Sequence, residues 1–317
     1  MLQPKRLGYV ALDVADLEAA VRFYQDVIHL EVSLRSDGVA FLTGGREHHW
    51  LVLRQSDRPG FNRVAYEMED EEQFDAISER IERAGVAVTR GGDLRTDRVE
   101  RWMRCADPDG LTVELYTGMI ELPVDPAYGH NVRLKKPLHA VLRVGDARKS
   151  YAFYSGLLGF QASDWVERHA VFLRCADRYH HSLALFGGAA QPALDHLCIL
   201  VPTLDDVMRA RVNTLALGVP LRNDMIRHGP SGSIGFYLKD EANQIAIEFC
   251  VDHRQVLDDA HRPRLLPARE DTLDVWNAVG PSGGLTIEAV RRLGGPSGDQ
   301  TTVARVLGIG VNEGASK

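Results

Sequence analysis

Leu7 to Tyr24 reads LGYVALDVADLEAAVRFY, and Pro137 to Tyr154 reads PLHAVLRVGDARKSYAFY. Laid together, Val14 and Asp16 fall on Val144 and Asp146, and Phe23-Tyr24 falls on Phe153-Tyr154. Each copy opens with an apolar run of strand character, places an aspartate where a helix N-cap belongs, and continues with helical spacing to its Phe-Tyr pair. One position breaks the match: Tyr9 faces His139. The two copies share their packing residues, so a reactive side chain present in only one of them is not explained by the fold. His139 is therefore a functional candidate.

The repeat is finer than a half, and an internal repeat decides architecture before any single element does. A first unit runs from about Arg6 to Gln55. A second begins at Phe61, with a strand at Val64 to Met68, a helix at Glu72 to Ala84, and a last strand at Leu111 to Tyr116 after the turn Asp107-Pro108-Asp109-Gly110. A third spans Pro137 to Gly188 and a fourth Ala193 to Asp252, with a helix from near Thr203 and closing strands at Ile234 to Lys239 and Gln244 to Cys250. The pattern predicts an α+β fold of two domains, each of two βαβββ modules forming an open, barrel-like mixed sheet with helices outside. The N-terminal domain is expected over 1–119 and lacks a complete metal site. A linker follows over 120–136, a catalytic domain over 137–252, and an appendage over 253–317 whose proline and glycine clusters predict a disordered end.

Composition narrows the function. The chain has 317 residues, is 44% hydrophobic and 26% charged, and carries a net charge of -7. Phosphate contacts need a basic surface, so nucleic-acid binding is excluded as the expected role. No run approaches the roughly 20 apolar residues of a spanning helix, which predicts no membrane partner and a cytoplasmic protein. Cys105, Cys175, Cys198 and Cys250 form no CxxC pair, which predicts reduced, mostly buried packing residues. The charges from Glu67 to Glu82 read as a solvated helix face.

In the fourth unit His196 opens the strand DHLCILV, where the second unit has Arg63 or Val64. Glu248 lies in the closing strand QIAIEFC, and its counterpart is Glu114. A charged residue facing inward from such a strand needs a partner. The first half keeps the carboxylate but has no histidine at either matching position, so only the second half can assemble His139, His196 and Glu248 into a facial triad. Two neutral imidazoles and a carboxylate on one side of a metal leave positions for substrate and dioxygen, which suits non-haem Fe(II); Mn(II) would also fit. The competing reading makes His139 a core histidine bonded to backbone and pairs Glu248 with Arg222 or Arg227. Cys198 and Cys250 share strand faces with His196 and Glu248 and read as packing near the metal. His180 and His181, then His228 and Tyr237, are further polar residues suited to moving a proton or stabilising an oxyanion. His48-His49 aligns with His180-His181 across a short gap, so the pair is in part a relic of duplication. Val141 shares the inward face with His139 and, with His180 and Phe236, is a candidate pocket residue.

These residues resemble the type I extradiol ring-cleaving dioxygenases of the vicinal oxygen chelate superfamily, over about residues 5 to 252. The family's iron ligands match His139, His196 and Glu248. Its acid-base histidine lies in an HHS/T-L-A sequence that matches His180-His181-Ser182-Leu183-Ala184, which implies that role for His181. Its substrate-contacting histidine and tyrosine match Arg227-His228 and Gly235-Phe236-Tyr237. Where biphenyl-type members often have Asn-Asp, this chain has Pro230-Ser231, so the pocket wall differs. The resemblance implies an Fe(II) enzyme that binds a small aromatic diol and O2, cleaves the ring beside the diol and places both oxygen atoms in the product. It also implies a homo-oligomer. Alternatives on the same scaffold are a glyoxalase-like isomerase, a hydroquinone-cleaving dioxygenase, or a metal-free ligand-binding module.

Overall fold

The computed structural model describes residues 2–276 of the chain. The first module comprises β1 (Arg6–Val14), α1 (Leu17–Asp26), β2 (Glu31–Ser36), β3 (Val39–Thr43) and β4 (Leu51–Gln55). The second comprises β5 (Gly60–Glu67), α2 (Glu71–Arg83), β6 (Val88–Gly91), β7 (Arg101–Ala106) and β8 (Thr112–Thr117). The third comprises β9 (Lys136–Arg143), α3 (Ala147–Gly156), β10 (Gln161–Val166), β11 (Ala170–Arg174) and β12 (Leu183–Phe186). The fourth comprises β13 (Ala193–Leu200), α4 (Leu204–Ala216), β14 (Leu221–Arg227), β15 (Ile234–Asp240) and β16 (Ile245–Val251). The expected βαβββ order thus recurs four times. Asp16, Asp70, Asp146 and Thr203 cap the four helices, each side chain accepting from a backbone N–H of the first turn.

Within each module the first and last strands pair in parallel, as β1 with β4 and β13 with β16, which requires the crossover that the helix supplies. Modules then join edge to edge through antiparallel first strands, β1 with β5 and β9 with β13. The result is an eight-stranded sheet, β2-β3-β4-β1-β5-β8-β7-β6, and a second sheet in the order β14-β15-β16-β13-β9-β12-β11-β10-β17, where β17 (Arg264–Leu266) comes from the segment after the fourth module. Strand alternation divides β9: Ala140 and Leu142 enter the main core with the helices, whereas Val141 joins Phe172 and Ala184 on the other face. His139 lines a cavity on that second face.

The repeated Phe-Tyr pair has a structural cause. Tyr24 of α1 donates its hydroxyl hydrogen to Asp240 Oδ2 at 2.7 Å, and Tyr154 of α3 does the same to Asp107 Oδ2 at 3.0 Å. Each half thus sends a buried tyrosine to the aspartate at the turn before the other half's closing strand. Asp107 is fixed by its own turn, accepting from the backbone of Asp109 and Leu111 at 2.9 Å, and Gly110 completes that turn with φ +84°.

One reading needs adjustment. Glu67 lies on β5, not on a helix, and binds Lys5 and Arg6. The segment after Val251 is built into the second sheet at its start: β17 pairs in parallel with β10, and Gln255 bridges to Tyr179. A short helix, α5 (Glu270–Leu273), follows. The proline and glycine clusters at 280–284 and 294–296, and the expected disordered end, lie outside the described residues.

Candidate metal centre

Three adjacent strands and their neighbour β15 bring the site together. His139 on β9 stands opposite Cys198 on β13, and Cys198 stands beside Glu248 on β16. His196 lies two residues before Cys198, on the same face. His139 Nε2 lies 3.0 Å from Glu248 Oε2, His196 Nε2 lies 3.4 Å from the same oxygen, and the two Nε2 atoms are 3.3 Å apart. All three side chains are buried, yet among the described residues neither oxygen of Glu248 accepts a well-directed hydrogen bond. A fully buried carboxylate without such a bond is costly unless a cation completes it. The arrangement therefore fits a divalent metal: three donor atoms converge on one point, and they form a carboxylate and bis-imidazole set. The alternative pairing of Glu248 with Arg222 or Arg227 is not found; Arg222 binds Asp195 instead, at 2.8 Å.

Electrostatics agree with this grouping. Burial would raise the Glu248 carboxyl, but the imidazoles of His139, His196 and His228 hold it well below the usual carboxylate range. Burial lowers His139, which keeps its ring neutral. Burial also pulls His196 down, but its hydrogen bond to Asp195 and the nearby negative charge of Glu248 overcome it and leave the ring raised. Asp195 accepts from His196 Nδ1 at 2.8 Å, which turns Nε2 toward the site. Neighbouring strand residues normally face opposite ways; a register shift between Leu194 and His196 lets Asp195 reach round to its neighbour.

Cys198 also lies within 4.8 Å of the His139 and Glu248 ligand atoms. Its thiol points to Cys250 Sγ at 3.3 Å and is pushed well up by burial, so it stays protonated, as a packing residue. All four cysteines are free and buried.

A cavity of about 470 Å³ opens beside the three donors, lined by Val141, Phe172, Phe186, Ile226 and Leu273 on its apolar side, with Pro230 and Ser231 in its wall. His181, His228 and Tyr237 also line it. The His181 ring packs on His139 with centroids 4.1 Å apart. Tyr237 and His228 Nε2 are 2.8 Å apart, and His228 Nδ1 is 2.7 Å from the Leu273 carbonyl. A carbonyl only accepts, so Nδ1 carries a hydrogen, and Nε2 is left facing the tyrosine hydroxyl.

Two expected pocket residues are placed elsewhere. Phe236 is fully buried in the main core, stacked on Phe249 at 5.6 Å, because Tyr237 faces the cavity and strand alternation turns Phe236 away. His180 does not reach the cavity; it is fully buried behind His181 with its Nε2 2.7 Å from Asp164. Sequence reasoning missed His253, whose ring centroid lies 4.6 Å from that of His181 and whose nitrogens have no hydrogen-bond partner among the described residues. It also missed Asp195, although that residue adjoins His196 in the sequence.

The model of the Glyoxalase/Bleomycin resistance protein/Dioxygenase superfamily matches residues 6–115 and 136–249, one match for each half. The chain belongs to this superfamily. A biphenyl-2,3-diol 1,2-dioxygenase from Pseudomonas sp. (strain KKS102) is 30% identical over 265 residues, covering 77% of this chain and 88% of its own. Similar solved structures include the Mn(II)-bound glyoxalase from Novosphingobium aromaticivorans, with a TM-score of 0.81 and 24% identity over 89% of this chain and 93% of that one. Homoprotocatechuate 2,3-dioxygenase from Arthrobacter globiformis has a TM-score of 0.80 and 21% identity, over 88% and 89%. At these identities the structures speak to the fold. The sequence relatives are ring-cleaving extradiol dioxygenases, and this superfamily member is an enzyme of that kind. No described helix is long and apolar enough to cross a membrane.

Proposed function

We propose that the protein is an Fe(II)-dependent extradiol dioxygenase acting on a catechol that bears an apolar substituent. The observation that carries this reading is the convergence of His139 Nε2, His196 Nε2 and Glu248 Oε2 within 3.4 Å of one another at the floor of an apolar-walled cavity. His139, His196 and Glu248 would hold the metal; Mn(II) suits the same donors. Held there, iron would supply the redox chemistry.

The side chains around it do the positioning and the proton transfer. His181, stacked beside His139, accepts a proton from a substrate hydroxyl. His228, just after β14, and Tyr237 on β15 are joined by their hydrogen bond, line the same cavity and bind the substrate oxygens. Phe172, Phe186, Ile226 and Leu273 exclude water and receive the ring substituent. The relatives act on biphenyl-2,3-diol and 1,2-dihydroxynaphthalene among others, which supports an aryl or fused-ring substituent. The test is a comparison of kcat/KM for catechol and its 3-alkyl and 3-aryl derivatives. The reading predicts a rise with apolar substituent size, and preference for bare or carboxylated catechols would contradict it.

We also place the enzyme in the cytoplasm, which its four free cysteines support. Self-association is supported by the outward apolar stripe of Leu204, Met208, Val212 and Leu215 on α4, and sedimentation in solution tests it.

A further inference from the structure

The base assigned to His181 needs a bare Nε2, and the fold contains a device that sets this tautomer. His181 Nδ1 lies 3.0 Å from His180 Nδ1, and His180 Nε2 lies 2.7 Å from Asp164 Oδ2. Asp164 is fully buried on β10, and its carboxylate also accepts from Arg264 Nε at 2.8 Å, from the Arg264 backbone N–H at 3.1 Å and from Arg254 Nη2 at 3.1 Å. A carboxylate facing two guanidinium groups is an acceptor only. His180 must therefore donate from Nε2. Burial lowers His180 to about 4, so its ring is neutral near pH 7 and its Nδ1 is a lone pair. That lone pair can only accept, so His181 donates from Nδ1 and keeps Nε2 bare on the cavity side.

The first half supplies an internal control. His48 and His49 repeat the pair, with Nδ1 atoms 3.1 Å apart, and Phe41 packs on both rings as Phe172 packs on His180 and His181. By strand register Leu34, opposite Phe41, occupies the place of Asp164, opposite Phe172, and both follow the same register shift. The half without the histidine ligands kept the paired histidines and lacks the carboxylate. Packing alone accounts for the histidine pair and does not account for Asp164.

We propose that Asp164 is a positioning residue that, through His180, fixes the His181 tautomer required of the base, and that Arg254 and Arg264 from the segment after the fourth module lock it in place. This rests on the assignment of His181 as base. The role can be read in two ways on the full chain, by 15N imidazole NMR of the Zn(II)-loaded protein and by steady-state kinetics of the Fe(II)-loaded protein. Wild type should show His181 Nε2 unprotonated. In Asp164→Leu, which copies Leu34, and in Asp164→Asn, whose amide can face either way, His181 should become a mixture of tautomers. The Leu variant should lose roughly 10- to 100-fold in kcat with KM changed by no more than about threefold, and the Asn variant less. An unchanged His181 tautomer in both variants overturns the proposal, whatever the rate. A shifted tautomer with an unchanged rate upholds the relay and instead refutes His181 as the base. If the Leu variant fails to fold, the Asn variant decides.

Discussion

Arg63 Nε lies 2.9 Å from Oε2 of Glu114, at the register position where His196 meets Glu248 in the second half. Tyr9, the counterpart of His139, donates to the other Glu114 oxygen, and Arg104 binds Oε2 at 2.6 Å. A guanidinium thus completes the carboxylate in the half without the histidines. The duplicated carboxylate needs a positive partner in both places; one half supplies arginine, and the other the two histidines proposed to hold a metal with it.

That contrast predicts different responses in metal binding. Arg63→Met should lower stability by about 2–3 kcal/mol, because Glu114 loses a buried partner while keeping Arg104. Glu248→Gln should abolish metal binding and remove from the metal-free protein the stability that the neighbouring imidazoles give the ionised carboxylate. Thermal melts and metal analysis of both variants check this, with one metal per chain retained in the Arg63 variant.

Asp195 is predicted to act on the metal through His196. Asp195→Ala removes the acceptor that turns His196 Nε2 inward and should weaken metal affinity roughly 10- to 100-fold. Competition against a chromophoric chelator measures it. Arg222→Ala, one step further out, should have a smaller effect in the same direction.

His181→Ala should leave metal content and catechol binding near wild type and lower turnover by roughly 100-fold or more. Anaerobic substrate titration followed by oxygen addition separates the two, and normal turnover would remove His181 from the proton path.

The metal-free protein should lose stability in mild acid. Burial lowers His180 to about 4, burial and nearby Arg98 lower His48 to about 4, and burial also lowers His49. A histidine whose folded pKa lies below its unfolded value, about 6.5, favours the native state when neutral. Its contribution is complete above about pH 6.5 and is lost as pH falls toward 4; for His180 this is on the order of 3 kcal/mol. His196, raised, acts in the opposite sense. Melting temperatures between about pH 7.5 and about pH 4.5 should fall steadily, and a flat profile would contradict the assignment of these rings as neutral.

Much of the site was legible because duplication supplies its own comparison. Tyr9 against His139, and Arg63 against His196, differ at matched positions of a shared strand framework. The misplacement of Phe236 was avoidable, since assigning Tyr237 to the cavity commits its neighbour to the other face. His253 was not legible. The chain leaves β16 at Val251, and Asp252, with φ +58°, turns it back over the site, a path no periodicity announces. Asp164 was hidden for another reason: its arginine partners lie 90 and 100 residues away, in a segment that reads as an appendage.

The most direct test of the central claim is oxygen consumption by the anaerobically Fe(II)-reconstituted full chain given 3-substituted catechols. The account predicts one O2 consumed per catechol, with a yellow ring-fission product and no activity in His139→Ala or Glu248→Gln. One iron bound per chain with no oxygen uptake from any catechol would contradict it.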